Sequence, residues 1–482
     1  MSQQATVFNQ RRGGVLLHIT SLPSRKMGND AEQFVDFLNQ SGMTIWQMLP
    51  LGPTHGDQSP YQCLSAHAAN NKLICLDDIR SQEWANLDPL ESDVESVIKA
   101  AYPQFEEHAS NQTKSEFDSF CQQQAFWLED YVLFCEIRES HFNEAWFDWP
   151  ETLRNRDITA LKNIKAENEQ TLTIRKFEQF IFFQQWYRLK KYANSKGVLL
   201  FGDMPIFVAH DSADVWANSA LFTLDEQGKS TKVAGVPPDY FSETGQRWGN
   251  PLYEWSAHQK QDYQWWQQRL ATQLEMFDLI RIDHFRGFEA CWEIPADCQT
   301  AINGQWVKAP GEALFDKLVS VFGELPLVAE DLGIITDEVT ALRERYAMPG
   351  MKILQFAFGG DADNPYLPHH HQYDSVAYTG THDNNTTHGW YDSLDEQTKS
   401  HIRHYFGGCG EDIVWHFNRT VLQSVALLAV LPMQDILALD GEHRMNTPGT
   451  TEGNWAWSFE WDWLECDSSE RLKKLNKLYG RI

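Results

Sequence analysis

The sequence predicts an α/β protein built on a parallel (β/α)8 TIM barrel. Short, nearly continuous apolar runs alternate with helix-forming stretches. Eight such runs are present, at residues 15–19, 44–50, 198–203, 279–283, 327–331, 351–356, 375–379 and 427–432. Strands that are apolar on both faces belong to parallel sheets covered by helices on both sides, and eight of them match a barrel. A doubly wound open sheet is the alternative, but no Gly-x-Gly-x-x-Gly follows the first run, which weakens a dinucleotide-binding version of it.

Helical patterns separate most of these runs in chain order. They cover residues 31–39, 177–195, 265–277, 311–322 and 337–345. Each predicted helix lies between two successive apolar runs, as the alternation of strands and helices in a barrel requires. The run 427–432 is compatible with either an eighth strand or the end of a helix.

Two insertions decorate the predicted barrel. Residues 1–60 hold its first two strands, residues 61–195 form a mainly helical inserted subdomain, and residues 196–482 complete the catalytic barrel. A second insertion, the loop 235–253 after the third strand, is rich in Gly and Pro, which break regular structure. Its aromatic residues would be costly to expose unless they cover something, so we expect a lid. These aromatics are Tyr240, Phe241, Trp248 and Tyr253.

Composition excludes several classes of protein. The chain has 482 residues, with 67 acidic and 40 basic side chains and a net charge of −27. Nucleic acid and anionic membranes are therefore poor partners, because both require a positive surface. No apolar run approaches the roughly 20 residues of a membrane span, and the N-terminal residues lack a secretory signal. The 8 Cys form no Cys-x-x-Cys pair, so reduced thiols in the cytoplasm are expected.

Carboxylates follow the predicted strands where a barrel builds its active site. Asp203, Asp283 and Glu330 end three runs, and Asp383 follows the seventh. Because the carboxyl ends of barrel strands meet at one mouth, these side chains should converge. Arg281 shares a strand face with Asp283, and a neighbouring cation favours the anionic form of a carboxylate.

Such a cluster suits either metal-assisted hydrolysis or glycosyl transfer through paired carboxylates. A metal site usually needs paired His ligands, whereas residues 369–371, three consecutive His, are expected to be a solvated surface tract. No metal and no cofactor is therefore predicted. The 19 Trp exceed what packing alone requires, and aromatic rings stack on sugars. The candidate platforms are Trp46, Tyr61, Trp248, Tyr253, Trp292 and Trp390.

Seven blocks of sequence resemble the amylomaltases, the 4-α-glucanotransferases of glycoside hydrolase family 77. They occur in the family order between residues 13 and 462, at 59–61, 202–206, 235–253, 281–287, 329–333, 381–384 and 444–450. The resemblance implies a retaining double displacement that moves α-1,4-glucan segments from a donor maltooligosaccharide to an acceptor glucose or glucan. It also implies that short maltooligosaccharides release glucose.

The resemblance assigns roles residue by residue. Asp283 matches the nucleophile, Glu330 the acid/base and Asp383 the third carboxylate. Substrate-binding or positioning roles fall on Ser59, Tyr61, Asp203, Trp248, Arg281, His284, His382 and Asn446. A plain α-glucan hydrolase and a non-catalytic glucan-binding protein remain alternatives, and the oligomeric state is left open.

Overall fold

The computed structural model describes residues 5–238, 242–408 and 412–482. Its strands are β1 (Arg12–Leu16), β2 (Ile45–Gln47), β3 (Leu199–Pro205), β4 (Lys232–Val236), β5 (Gln246–Pro251), β6 (Leu279–Asp283), β7 (Ala290–Pro295), β8 (Gln305–Lys308), β9 (Leu327–Ala329), β10 (Gly350–Ile353), β11 (Ser375–Tyr378) and β12 (Leu428–Pro432).

The helices occupy most of the chain between the strands. They are α1 (Asn29–Gln40), α2 (Leu76–Arg80), α3 (Val94–His108), α4 (Asn111–Gln123), α5 (Ala125–Ser140), α6 (Glu151–Arg154), α7 (Ile158–Glu167), α8 (Glu169–Ser195), α9 (Ala213–Ala217), α10 (Trp255–Lys260), α11 (Gln264–Met276), α12 (Gly311–Phe322), α13 (Asp337–Arg345), α14 (Thr387–Ser393), α15 (Glu396–Tyr405), α16 (Ile413–Gln423), α17 (Met433–Ile436) and α18 (Ser468–Leu478). None of those in the described ranges combines the length and the apolar character needed to cross a bilayer.

Eight of the described strands form one parallel sheet in the order β10-β11-β12-β1-β2-β3-β6-β9. All eight predicted runs contribute to it, and the barrel prediction is confirmed. The strand β12 follows α16 directly, which resolves the ambiguity of the run 427–432 in favour of a strand. The open sheet is therefore wrong as an alternative, since the two ends of the sheet approach each other.

The gap between β9 and β10 is closed mainly by side chains. One backbone bond joins the two ends, from Ala329 N–H to the Pro349 carbonyl at 2.9 Å. Asp331 supplies the next connection, accepting from Met351 N–H at 2.7 Å while its other oxygen lies 3.3 Å from Arg343 Nε. Residue 350 has to be glycine, because a Cβ there would lie 2.3 Å from the Asp331 carboxylate.

The first strand begins three residues before the predicted run. Gly13 and Gly14 belong to β1, and both are pressed against neighbouring elements. A Cβ on Gly14 would lie 2.6 Å from Ile45 Cβ in β2, so glycine here permits close strand pairing.

Between β2 and β3 the chain forms α2 to α8 around an aromatic core. Phe105 and Phe177 lie at its centre with ring centroids 4.7 Å apart. More than half of the 19 Trp residues of the protein are buried, many of them in this region. Packing in the core therefore accounts for about half of the Trp residues that the sequence analysis counts as a surplus. The division into residues 1–60, 61–195 and 196–482 stays a prediction.

The loop expected over 235–253 contains regular structure instead. The strands β4 and β5 pair antiparallel, and β7 and β8 extend them into a second sheet of order β5-β4-β7-β8. Gly235 lies inside β4, and only glycine fits there because a Cβ would lie 2.2 Å from the Gln246 carbonyl. Here glycine marks close strand approach and not a break. The predicted lid aromatics Tyr240 and Phe241 lie outside the described residues.

Candidate active site

The carboxyl end of β6 carries the charge network of the site. Parallel pairing places Arg281 directly beside Asp203 of β3. Arg281 donates from Nη1 to Asp203 Oδ2 at 2.6 Å and from Nη2 to Asp283 Oδ1 at 2.8 Å. Arg281 and Asp203 are buried, whereas Asp283 keeps 29% of its side-chain surface exposed. One guanidinium thus fixes a buried carboxylate and a carboxylate that is open to the mouth.

Tyr61, from the segment after β2, joins the same network. Its hydroxyl donates to Asp203 Oδ2 at 2.7 Å. Burial raises the pKa of Tyr61 well above its usual value, and the Asp203 charge adds to the shift. Burial also raises the pKa of Asp203, against the attraction of Arg281. Tyr61 is therefore a neutral hydrogen-bond donor here.

Glu330 lies at the end of β9, next to β6. Its Oε2 accepts from His284 N–H at 2.7 Å and its Oε1 from Leu332 N–H at 2.9 Å. Burial raises the pKa of Glu330 to about 7; Arg281 opposes this shift and the Asp283 charge adds to it. A carboxyl group in that range exchanges a proton near neutral pH, as general acid–base catalysis requires.

The backbone of His284 is left-handed, with φ 54° and ψ 50°. Such a conformation in a residue with a side chain costs of order 1–2 kcal/mol and is concentrated at functional sites. The kink lets His284 N–H point at Glu330, while the ring lies against Trp248 at a centroid distance of 4.7 Å. Burial lowers the pKa of His284 to about 4, so the ring is neutral.

Asp383 lies on the loop after β11 and is surrounded by polar groups. Its Oδ1 accepts from Asn446 Nδ2 at 2.6 Å, and its Oδ2 lies 3.3 Å from His382 Nε2. Partial desolvation in the mouth raises the pKa of Asp383, whose side chain is 47% exposed, but the charge and hydrogen bond of His382 and the bond from Asn446 outweigh it, so the pKa lies well below its usual range. Asp383 is therefore a carboxylate anion.

An aromatic contact joins the two halves of the site. The rings of Tyr61 and His382 stack at 5.2 Å with an interplanar angle of 17°. Ser59 Oγ accepts from Tyr61 N–H at 3.3 Å and so shapes the Tyr61 turn, and its role in binding substrate stays a prediction. The other predicted site residues form one connected group. Each of them contacts Arg281, Glu330 or Asp383, or contacts a residue that does.

Several aromatic candidates lie elsewhere. Trp46 is fully buried, with Nε1 donating to the Leu17 carbonyl, and Tyr253 is 5% exposed, so neither can stack on a sugar. Trp292 packs within the second sheet, and Trp390 packs on Phe358 and Phe417. The predictions for Trp46 and Tyr253 are wrong because neighbouring elements cover both rings, whereas Trp292 and Trp390 are only partly buried and their stacking roles stay predictions.

A metal site with histidine ligands was the alternative considered for this cluster of carboxylates. His369 and His370 are exposed as predicted, whereas His371 is buried, with Nε2 2.9 Å from the Tyr366 carbonyl. Within residues 5–238, 242–408 and 412–482, His, Cys, Asp and Glu side chains form no group of three or more that could hold a metal ion.

Comparison with known proteins identifies the family. Residues 17–463 match glycoside hydrolase family 77, described as 4-alpha-glucanotransferase. The chain belongs to this family. It is a 4-α-glucanotransferase, an enzyme that transfers α-1,4-glucan segments. A Thermus thermophilus 4-alpha-glucanotransferase is 46% identical over 98% of this chain and 99% of its own length. A chloroplastic/amyloplastic one from Arabidopsis thaliana is 41% identical over 98% of this chain and 86% of its own length.

A solved structure supports the same assignment. The amylomaltase from Streptococcus agalactiae, in complex with acarbose, superposes with a TM-score of 0.93 at 35% identity. The alignment covers 98% of this 4-α-glucanotransferase and all of that chain.

Two residues of this 4-α-glucanotransferase escaped sequence reasoning. The Trp455 ring lies 5.9 Å from Tyr61 and 6.0 Å from His382. Arg444 donates from Nη2 to the Asp383 carbonyl at 3.1 Å. Arg444 heads one of the family blocks, which is the signal that could have singled it out. Trp455 follows a polar, Gly-containing stretch that gives no such signal.

Proposed function

We propose that this 4-α-glucanotransferase works by a retaining double displacement at the mouth of the barrel. The observation that supports it most is the contrast between Asp283 and Glu330. Asp283 is ion-paired and open to the mouth, whereas Glu330 is buried with a pKa raised to about 7. A nucleophilic anion and a proton donor on neighbouring strands are what a retaining enzyme needs.

In the first displacement Asp283 attacks the anomeric carbon of the donor. Its Oδ1 is held by Arg281, which leaves Oδ2 to form the new C–O bond. Glu330 gives its proton to the glycosidic oxygen as the C–O bond of the donor breaks. The reducing-end piece leaves as a free sugar, which is glucose when the scissile bond is the last one of a short maltooligosaccharide.

In the second displacement the acceptor takes the place of the leaving sugar. Glu330, now a carboxylate, removes the proton of the acceptor hydroxyl, whose oxygen attacks the anomeric carbon and releases Asp283. Two inversions restore the α configuration. We assign Asp383 to the positive charge that develops on the sugar ring, and Tyr61, His382 and Asn446 to holding that ring and Asp383 in place.

Transfer instead of hydrolysis requires that water be kept from the covalent intermediate. Trp248 supports this, because β5 places its ring on His284 beside the catalytic pair. We propose that the hairpin β4–β5 is the cover expected over residues 235–253.

We further expect acarbose to occupy this mouth, as it is bound by the Streptococcus agalactiae relative. The described Cys residues are free thiols, which supports a cytoplasmic enzyme.

Incubation with maltotriose tests the proposal. The wild-type enzyme should yield glucose and a ladder of longer chains, whereas Asp283→Ala should lose turnover by orders of magnitude and still bind the sugar. Asp363→Ala, an exposed carboxylate, is the matched control and should behave as wild type. Products that are all shorter than maltotriose would indicate a hydrolase, and activity in Asp283→Ala would overturn the assignment of the nucleophile.

A further inference from the structure

We propose that Trp306 is an outer stacking site for the acceptor glucan and that it determines which acceptor lengths are used well. The inference rests on the proposed function, in which Glu330 activates the acceptor. It concerns the second sheet, whose edge strand β8 contains Trp306.

Trp306 contacts the segment after Asp283 and is linked through it to the segment after Glu330. The guanidinium of Arg286 lies 3.7 Å from the centroid of the Trp306 ring, and Arg286 follows Asp283 by three residues. Arg286 Nη1 also donates to the Ile334 carbonyl, in the segment after Glu330. Arg286 therefore joins the ring of Trp306 to the segments that follow both catalytic carboxylates.

The side chain is held rigidly and yet left open. Trp292, its direct partner across β7 and β8, packs on it with ring centroids 5.2 Å apart and an angle of 64°. Trp306 nevertheless keeps 38% of its surface exposed, and the nearby Ile334 keeps 52%. Packing alone does not require a Trp at this position, whereas a rigid exposed ring is a low-entropy platform for the flat C–H face of a sugar.

Each edge strand of the second sheet carries one Trp that contacts the segment 284–286. Trp248 of β5 contacts His284, and Trp306 of β8 contacts Arg286. Strands β5 and β8 are separated by three inter-strand spacings, or about 14 Å. Cross-strand pairing aligns Trp306 with Trp292, Gly235 and Arg247, so Trp248 lies on the other face of the sheet, and Trp306 forms a stacking surface of its own with Trp292.

The chemistry of the second displacement indicates what binds to the surface formed by Trp306 and Trp292. Glu330 has to reach the acceptor hydroxyl in the second displacement, so the rest of the acceptor chain extends away from Glu330 on this side. A neutral glucan also suits a surface made of Trp306, Trp292 and an arginine that is already stacked. Glucose fills the first acceptor position alone, whereas a longer acceptor reaches Trp306.

The test compares acceptors of two lengths with starch as the fixed donor. Radiolabelled glucose and radiolabelled maltotetraose serve as acceptors, and KM and kcat are measured for each. In Trp306→Ala the KM for maltotetraose should rise about five- to tenfold, with kcat and the KM for glucose unchanged. Trp306→Phe should recover most of the loss. Trp463→Ala, which removes an equally exposed Trp (39%) that packs on His443, is the matched control.

Each result separates the possible failures. Equal changes for glucose and maltotetraose would overturn the inference, because Trp306 would then act through Arg286 on the catalytic pair. An unchanged KM for maltotetraose in a folded Trp306→Ala enzyme, checked by its circular dichroism, would overturn it as well. If the wild-type enzyme incorporates neither acceptor into longer chains, the proposed function itself fails.

Discussion

Arg281 is the residue on which the electrostatics of the active site converge. It is buried and bonded to two carboxylates, and it also acts on Glu330, whose pKa it lowers against the effect of burial. The same cation thus stabilises the anion of Asp283 and limits how far the pKa of Glu330 rises. A lysine could not replace it, because one ammonium group lacks the planar fork that reaches both partners.

Glu330 gives a prediction on the pH dependence of activity. The first displacement needs its protonated form, and its pKa is about 7. We expect kcat/KM for the donor to fall tenfold per pH unit as the pH rises above about 7. Glu330→Gln should lose about 10²- to 10⁴-fold in rate and lose this limb of the profile. The measurement is a pH–rate profile of both enzymes on maltotriose.

α-Maltosyl fluoride provides the control, since fluoride leaves without a proton. Glu330→Gln should form the glycosyl-enzyme from it at close to the wild-type rate. A limb near pH 7 that persists in Glu330→Gln would assign the titration to another group.

At the residue scale, strand ends were the informative signal. Asp203, Asp283 and Glu330 could be predicted because each lies at the end of an apolar run. Side chains two residues apart on a strand share a face, which placed Arg281 beside Asp283. Trp455 could not, since it reaches Tyr61 from a distant segment without a strand of its own. Trp46 looked like a platform at a strand end, but α1 covers it, with Phe34 at 4.9 Å. Exposure depends on the neighbouring element, which a local pattern does not contain.

Among the elements, the loop between β11 and α14 is held at both ends by one carboxylate. Asp435, buried in α17, accepts from the hydroxyl of Thr379 at the start of the loop. At the other end it accepts from Thr387 N–H at 2.8 Å and from the Thr387 hydroxyl at 2.7 Å. Asp383 lies between these two anchors, so we expect Asp435 to act as a positioning residue for it.

Asp435→Asn tests this clamp. An amide cannot accept from all three donors, so the loop should shift and weaken the interaction of Asp383 with the transition state. We expect kcat to fall about ten- to a hundredfold with KM for maltotriose changed less than about twofold. Asp440→Asn, an exposed cap nearby, should keep wild-type kinetics. A fall in stability with unchanged kcat would show that Asp435 is purely structural.

The second sheet shows where element prediction from sequence fails. Residues 235–253 read as a loop because Gly and Pro are frequent there, yet they include the end of β4 and all of β5. The deciding factor is tertiary: Gly235 allows two paired strands to approach, and Pro251 is the last residue of β5. The helices α12 and α13, by contrast, match the predicted ranges to the residue, because their apolar periodicity is local.

On the scale of the whole molecule, the two ends of the chain meet at the barrel. β1 and β12 are neighbours, with Arg12 beside Leu428. Eight apolar runs could predict that a barrel forms, since each run corresponds to one strand of the sheet. They could not predict how it is closed, because Asp331 between β9 and β10 and the C-terminal residues at β1 act over distances that no periodicity records.

Arg481 gives the prediction that belongs to this scale. It is 2% exposed and donates to carbonyls of three parts of the fold: Leu422 at 2.6 Å in the last turn of α16, Ala426 at 3.2 Å before β12, and Arg12 at 3.0 Å in β1. Because Arg481 is buried, Arg481→Ala would leave these carbonyls without their donor and should lower the free energy of unfolding by about 2–4 kcal/mol.

Urea unfolding followed by circular dichroism measures this effect of Arg481. Arg481→Lys should recover only part of the loss, because a single ammonium group cannot reach carbonyls on three sides. Lys473→Ala, an exposed cation on α18, is the control and should change the unfolding free energy by less than about 0.5 kcal/mol. Since Arg481 lies far along the chain from β1 and close to it in space, a midpoint equal to that of wild type would mean that β1 and β12 hold together without the C-terminal residues.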